Sequence, residues 1–469
     1  MKGKRLVLIL TTLLLIMGVI NAEAALPSAE AADWPWTVKA FDEDEDSVMN
    51  LSTTFVGAHE IPMFSYTKDD GKHRIYQAFL APSKDLAICG PNNAWYCTYW
   101  WDKDLVPGTV SNVATLRYGS DTFGIKWAFK AGGKIRGATA ELMNDLTLVT
   151  NTWEDLIDLG KFGGILVGAP SLQNKGGKFR LALTVRDNTD FYGHNLVYMY
   201  YSGVNNNSCL SSGSKYQCDV IEIAYGMGSI GAPSLQVSPD GKVGIAYYFV
   251  RDLKYAYPFP ESIPLQMRYP NCGPGGDTWR CITIFDAVTP NTVGTKVKQA
   301  VGLTDADRGI AFTYHASLTN ALKLAKYVGS GGNCGEDGKV FTNPILRWQC
   351  SDVDNIANHP SGTFSIAIDP EGFPVIAYDN TDDDMAPTSL HLSYPKARIG
   401  DSDPGWTRQT IDPAPHIDVN VGGQAALALN SDGLGFIAYR VDDGYNLTTP
   451  LKYALQQQTF SIFMPLIQR

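Results

Sequence analysis

Apolar and polar positions alternate along this chain in short runs, and one stretch shows the pattern at its plainest. From Gly362 it reads Gly-Thr-Phe-Ser-Ile-Ala-Ile, then Asp-Pro-Glu-Gly, then Phe-Pro-Val-Ile-Ala-Tyr. A period of two predicts strands over Phe364–Ile368 and Pro374–Tyr378. Gly372 supplies the positive φ that a tight hairpin between them needs. A polar loop and a third apolar run, Ser389-Leu-His-Leu-Ser-Tyr394, follow, and Trp406 opens a fourth strand. The phrase recurs seven times. Its opening aromatics are Trp36, Trp95, Trp153, Tyr216, Trp279, Trp348 and Trp406, which by subtraction stand 59, 58, 63, 63, 69 and 58 residues apart. Its second strand reads Phe64-Ser-Tyr66, Trp127-Ala-Phe129, Leu183-Thr-Val185, Ile245-Ala-Tyr247, Ile310-Ala-Phe312, Ile376-Ala-Tyr378 and Ile437-Ala-Tyr439. Its third includes Leu253-Lys-Tyr-Ala256 and Leu451-Lys-Tyr-Ala454.

Four short strands in each of seven repeats predict an all-β fold, a seven-bladed β-propeller of four-stranded antiparallel blades. If the strand beginning at Ser365 is innermost, the strand opened by Trp406 is the outermost of the same blade. Trp36 then has no inner strands of its own. It is expected to complete the blade built from residues 425–454, so that N- and C-terminal strands close the ring in one blade. Small residues cluster where inner strands begin, at Gly168-Ala-Pro170, Gly231-Ala-Pro233, Ser361-Gly362 and Gly422-Gly423, as strands converging on one axis require.

The ends change the picture little. A basic start, an apolar run from Leu6 to Ile20 and Ala22-Glu23-Ala24 read as a signal peptide over residues 1–24. A linker over 25–33, the propeller over 34–457 and a tail over 458–469 follow, with no membrane span after cleavage and a secreted or cell-surface monomer expected. A net charge of −10 with 18% charged residues argues against nucleic acid and anionic membrane as partners. Eight cysteines fall into four near neighbours, Cys89 with Cys97, Cys209 with Cys218, Cys272 with Cys281 and Cys334 with Cys350. In an exported chain these read as four disulfides, each within one blade, stapling the third strand to a position two residues past the opening aromatic. Neither metal nor cofactor is expected. The acidic runs Asp42–Asp46 and Asp382–Asp384 lack the spaced oxygen pattern of a calcium loop, and no Gly-x-Ser-x-Gly is present. Glycosylation sequons stand at Asn50, Asn206 and Asn446.

Antiparallel alternation puts the loops after the second strands on one rim. Those loops carry Lys68, Asp70, Arg186, Asp187, Arg251, Asp252, His315, Asp379, Arg440 and Asp442, a ring of both charge signs suited to a sugar carboxylate or hydroxyls. The opposite rim carries the tight turns at Gly241, Gly372 and Gly433 and the stapled hairpins.

The phrases Ser365–Tyr378, Ser234–Tyr247 and Leu253–Ala256 resemble the repeats of the sialidase-like propeller superfamily in exported bacterial proteins. Sialidases proper carry Ser-x-Asp-x-Gly-x-Thr-Trp before an outermost strand and an early Phe-Arg-Ile-Pro. Here Gly275-Gly-Asp-Thr-Trp279 lacks the serine and its spacing, and His59-Glu60 precedes Ile61-Pro62. A non-enzymatic propeller binding a glycan or extracellular protein on the charged rim is the first expectation. A sialidase-like hydrolase or lyase, which would need Arg186, Arg251 and Arg440 to converge, is the second. A structural cell-surface component is the third.

Overall fold

A computed structural model describes residues 35–42, 48–68, 73–118, 120–187, 193–225, 228–259, 272, 278–288, 291–316, 320–340, 343–356, 364–380, 388–396, 405–415, 419–443 and 450–456. Thr37–Leu455 forms one compact unit; Met1–Trp36 with Gln456–Arg469 forms the other and lies almost wholly outside the described residues. The expected signal peptide, linker and tail fall there.

Seven antiparallel sheets make a seven-bladed β-propeller. Blade 1 comprises Val48–Val56, Ile61–Lys68, Arg74–Leu80 and Trp95–Trp101. Blade 2 comprises Ala114–Arg117, Thr122–Ala131, Lys134–Met143 and Leu148–Asp158. Blade 3 runs through Gly164–Lys175, Lys178–Asp187, His194–Asn206 and Ser214–Ala224. Blade 4 has Ser234–Val237, Val243–Phe249, Asp252–Pro258 and Trp279–Phe285. Blade 5 has Thr292–Ala300, Gly309–His315, Asn320–Tyr327 and Asn343–Ile356, and adds a fifth strand, Cys334–Val340, at its outer edge. Blade 6 contains Phe364–Ile368, Pro374–Asn380, Ser389–Pro395 and Trp406–Asp412. Blade 7 takes Val419–Leu429, Gly435–Asp443 and Leu451–Gln456 from the end of the chain and Trp36–Asp42 from its beginning, so both ends close the ring as the repeat phase requires.

The repeated serine has a physical job. In blades 1, 3, 4 and 6 the hydroxyls of Ser52, Ser171, Ser234 and Ser365 accept the backbone N–H of Val113, Leu235, Gln299 and Leu427 on the next blade's inner strand, at 2.9–3.0 Å. The resulting belt satisfies inner-edge backbone donors that would otherwise face the next sheet unpaired. Small residues let the inner strands approach this closely. A Cβ on Gly231 would lie 2.3 Å from the carbonyl oxygen of Thr295 on the inner strand of the next blade. Of the other predicted small clusters, Ser361-Gly362 lies outside the described residues, as do the surroundings of Gly422-Gly423.

All four expected disulfides form. The aromatic two residues before the second cysteine is buried in each case, at Trp95, Tyr216, Trp279 and Trp348. Three of these rings pack edge-on against a third-strand tyrosine of the preceding blade: Trp95 on Tyr453, Trp279 on Tyr198 and Trp348 on Tyr255, at 4.9–5.1 Å between centroids. Each contact couples neighbouring blades.

Blade 2 departs from the expected phase. Trp153 does not open its outermost strand; Leu148 holds that place, opposite Leu142, and Trp153 is 60% exposed with the Arg136 guanidinium 5.0 Å away. The second strand of blade 3 is displaced by two residues: Ser171 pairs with Ala182, so Leu181-Ala-Leu183 stands where other blades have Ile-Ala-Tyr. In blade 2 Asn112 takes the serine's place, its Oδ1 accepting the Leu172 N–H at 2.8 Å, and Trp127-Ala-Phe129 keeps the expected position. A two-residue slip keeps every side chain on its own face, so alternation alone does not detect it.

Candidate functional site

Every second strand ends on one rim, and the predicted residues there separate into distinct neighbourhoods. Lys68 is nearly buried, its ammonium 5.6 Å from the Tyr76 ring centroid. Arg251 is exposed beyond Val250, whose φ of 61° makes the turn. The Asp252 carboxylate accepts the Ala287 N–H at 3.1 Å, and burial, helped by Asp286, holds its pKa above the usual carboxylate range. His315 Nδ1 lies 3.1 Å from Asn320 Oδ1. Asp379 and Arg440 both lie within electrostatic reach of Lys296, a residue that sequence reading did not single out. Asp70 lies outside the described residues, and of Asp442 only the backbone is described, opposite Asn420. Arg186 is half-buried on the second strand of blade 3, where it pairs with Ile165 and His194.

Asp187 faces a cavity. The turn Leu159–Lys161 precedes blade 3, with Asp158 Oδ1 accepting the Gly160 N–H at 3.1 Å. Gly163, at φ 124°, then presses the chain onto the second strand; a Cβ there would lie 2.7 Å from the Arg186 carbonyl oxygen. Beside this contact opens a cleft of about 500 Å³ at the rim of blade 3, lined by Gly160, Lys161, Phe162, Asp187, Asn195 and Val220 among others. Asn195 Nδ2 donates to the Phe162 carbonyl at 2.8 Å, which fixes the amide, and Lys161 donates to the Asn207 carbonyl. Asp187 is the one carboxylate among the described lining residues. An acceptor, an amide and an ammonium around an aromatic wall can recognise hydroxyl groups.

Tyrosines paired with carboxylates are the other candidate chemistry, and they lie inside the seams between blades. Tyr247 donates to Glu222, Tyr378 to Asp354 at 2.8 Å and Tyr439 to Asp412 at 2.7 Å. Each acid stands six residues past the opening aromatic of the preceding blade. Lys254 bonds Glu222 at 2.6 Å and Lys452 bonds Asp412 at 2.9 Å, while Arg408 approaches Asp354 at 3.4 Å. All three tyrosines are at most 2% exposed. Burial first, and the adjacent carboxylate second, push their pKa values upward. These hydroxyls are protonated, sealed and repeated, which is the arrangement of a structural lock. Between blades 4 and 5 both partners are replaced together, Phe285 packing on Phe312 at 5.4 Å.

Two further findings bear on the candidates. Asn50 Nδ2 is engaged with the Val110 carbonyl at 2.6 Å, which removes that sequon's nitrogen from reach of modification. Lys126 is buried against the Phe179 ring, 4.1 Å from its centroid, and desolvation brings its pKa down to about 8.

No family model and no curated protein matches the chain. Among the solved structures similar to it are a K499G mutant of NanB sialidase from Streptococcus pneumoniae, with 11% identity over 89% of this chain and 71% of that one and a TM-score of 0.40. An α-L-arabinanase from Penicillium chrysogenum is similar at 12% identity, 75% and 94% coverage and a TM-score of 0.39. A protein of unknown function from Dyadobacter fermentans covers 90% of this chain and 98% of its own at 11% identity, with a TM-score of 0.38. The blade assignment rests on the strand pairing described above, independently of these likenesses.

Proposed function

We propose that this protein is a non-enzymatic binding propeller that holds a glycan in the cleft at the rim of blade 3. The observation that carries the reading is the composition of that cleft: Asp187, Asn195 and Lys161 beside Phe162, with a single carboxylate among its described lining residues. Glycoside hydrolysis ordinarily uses two carboxylates flanking the bond, or a tyrosine with an acidic partner in their place. The tyrosine–carboxylate pairs described above are closed within the blade seams. A cleft of this size takes a small ligand, one or two sugar rings, held by charge-assisted and amide hydrogen bonds. Four disulfides support a working environment outside the reducing cytoplasm. No helix of the described residues is long and apolar enough to cross a membrane.

A glycan array probed with the purified chain tests the reading. Binding to a defined set of glycans is expected, lost in Asp187→Asn and Asn195→Ala and kept in Asp240→Asn on the opposite rim. A recognised glycan cleaved on prolonged incubation would give the place to the hydrolase reading. Binding lost in Asp240→Asn but kept in Asp187→Asn would put the site on the other face.

A further inference from the structure

Blade 2 turns its repeated aromatic toward water. No cysteine falls between Cys97 and Cys209, so its outermost strand carries no disulfide staple, and that strand begins at Leu148. The aromatic that is buried at Trp95, Tyr216, Trp279 and Trp348 is here the exposed Trp153. Residues 148–153 carry no charge, and Leu148 and Val149 are exposed on the same strand. Strand alternation puts Asn151, Trp153 and Asp155 on one face. Asn151 Oδ1 accepts the Trp100 Nε1–H of blade 1 at 2.9 Å, so that face looks across the outer mouth of the seam between blades 1 and 2.

The indole is held in place from behind. The Arg136 guanidinium stands 5.0 Å from its ring centre. Arg136 Nε donates to Asp155 Oδ1 at 3.0 Å, and Nη1 donates to Asp102 Oδ2 at 3.0 Å and to Asp104 Oδ2 at 3.4 Å. Asp102 Oδ1 also accepts the Asp104 N–H at 2.8 Å, which fixes the turn that presents Asp104. Lys134 Nζ bonds Asp155 Oδ2 at 2.5 Å. Arg136 and Asp102 are mostly covered, whereas the side chains of Asp104 and Lys134 are 42% and 45% exposed. A flat apolar plate therefore stands beside an open carboxylate and an open ammonium, all fixed through one guanidinium and its partners. Large aromatics left open to water in this way are characteristic of contact surfaces.

We propose that this platform binds a sugar ring within a neutral polysaccharide. The C–H face of a pyranose is apolar and weakly positive, which suits stacking on the negative face of an indole. Asp104 accepts from the ring's hydroxyl groups and Lys134 donates to them. An open plate on the outer wall admits a chain that continues past it on both sides, whereas the cleft on blade 3 takes one or two rings. The platform shares no residue with that cleft and does not depend on the reading given to it.

Affinity electrophoresis in native gels containing soluble hydroxyethylcellulose, xylan, galactomannan or β-1,3-glucan tests the proposal. The full chain is used with Asp187→Asn already in place, so that the cleft on blade 3 is disabled and the two sites are judged separately. Retardation by at least one of the four polysaccharides is expected. Trp153→Ala, at an exposed position, should keep the melting temperature and weaken the interaction by about tenfold or more. Asp104→Ala should weaken it as well, and serves if the first variant fails to fold. No retardation by any of the four, or equal retardation of the folded variants, overturns the proposal. Dimers that dissociate in Trp153→Ala, without retardation by polysaccharide, would give the face to a second copy of the chain instead.

Discussion

Tyr439 shows how much a single hydroxyl can hold. It is fully buried, donates to Asp412, and shares that carboxylate with Lys452. Tyr439→Phe keeps the ring's packing but removes one of the donors to a nearly buried carboxylate. A loss of about 1–3 kcal/mol is expected, read by denaturant unfolding. Unchanged stability would show the lock to be idle. Lys126 presents the opposite case, a buried cation on a second strand, opposite Ala114 of the inner strand. Its pKa of about 8 lies below the ordinary 10.5, so the fold favours the neutral amine. The desolvation cost is then fully present below about pH 8 and relieved as pH rises toward 10.5. Lys126→Met should therefore raise the melting temperature at pH 7, and should raise it less near pH 10. Neither residue was identified in advance. The acid of each lock lies on the preceding blade, and Lys126 falls just before the repeated phrase Trp127-Ala-Phe129.

At the scale of elements, the alternation of apolar and polar positions was enough to place strands, count blades and pair the cysteines, because these follow from short-range periodicity and local hairpins. Legibility ended where information is non-local. The slip in blade 3 preserves facing, and only pairing of Ser171 with Ala182 reveals it. The cleft at Asp187 is built by a turn that precedes blade 3, which no repeated phrase marks. Trp36–Asp42 is an outer strand with a partner on one side, Leu451–Gln456. A chain beginning after Ser47 lacks it, exposes the edge of blade 7 and removes Phe41 from its contacts with Phe64 and Trp95. Its thermal transition should be broader and lower than that of the full chain, as calorimetry would record; superimposable transitions would mean that the strand is dispensable.

For the whole molecule, the three sealed tyrosines make stability depend on pH in one direction. Their folded-state pKa values lie above the ordinary 10.0, so their contribution is complete below about pH 10. Above it the unfolded chain ionises first, and stability falls by up to about 1.4 kcal/mol per pH unit for each tyrosine. Denaturant unfolding between pH 9 and 11 should show this decline, shallower in Tyr439→Phe by one proton. A flat profile would mean that the hydroxyls are not sealed.

The shared blade also has a bearing on time. A ribosome makes Trp36–Asp42 first, yet its hydrogen-bonding partner Leu451–Gln456 emerges almost last, so six blades can form while that strand waits. Contacts between segments so far apart in sequence form slowly and leave an apolar edge exposed meanwhile. A permuted chain that places 35–42 after 456, joined by a short turn, would turn the most distant pairing in the protein into an ordinary hairpin. It should reach the same fold sooner, with less aggregation on refolding.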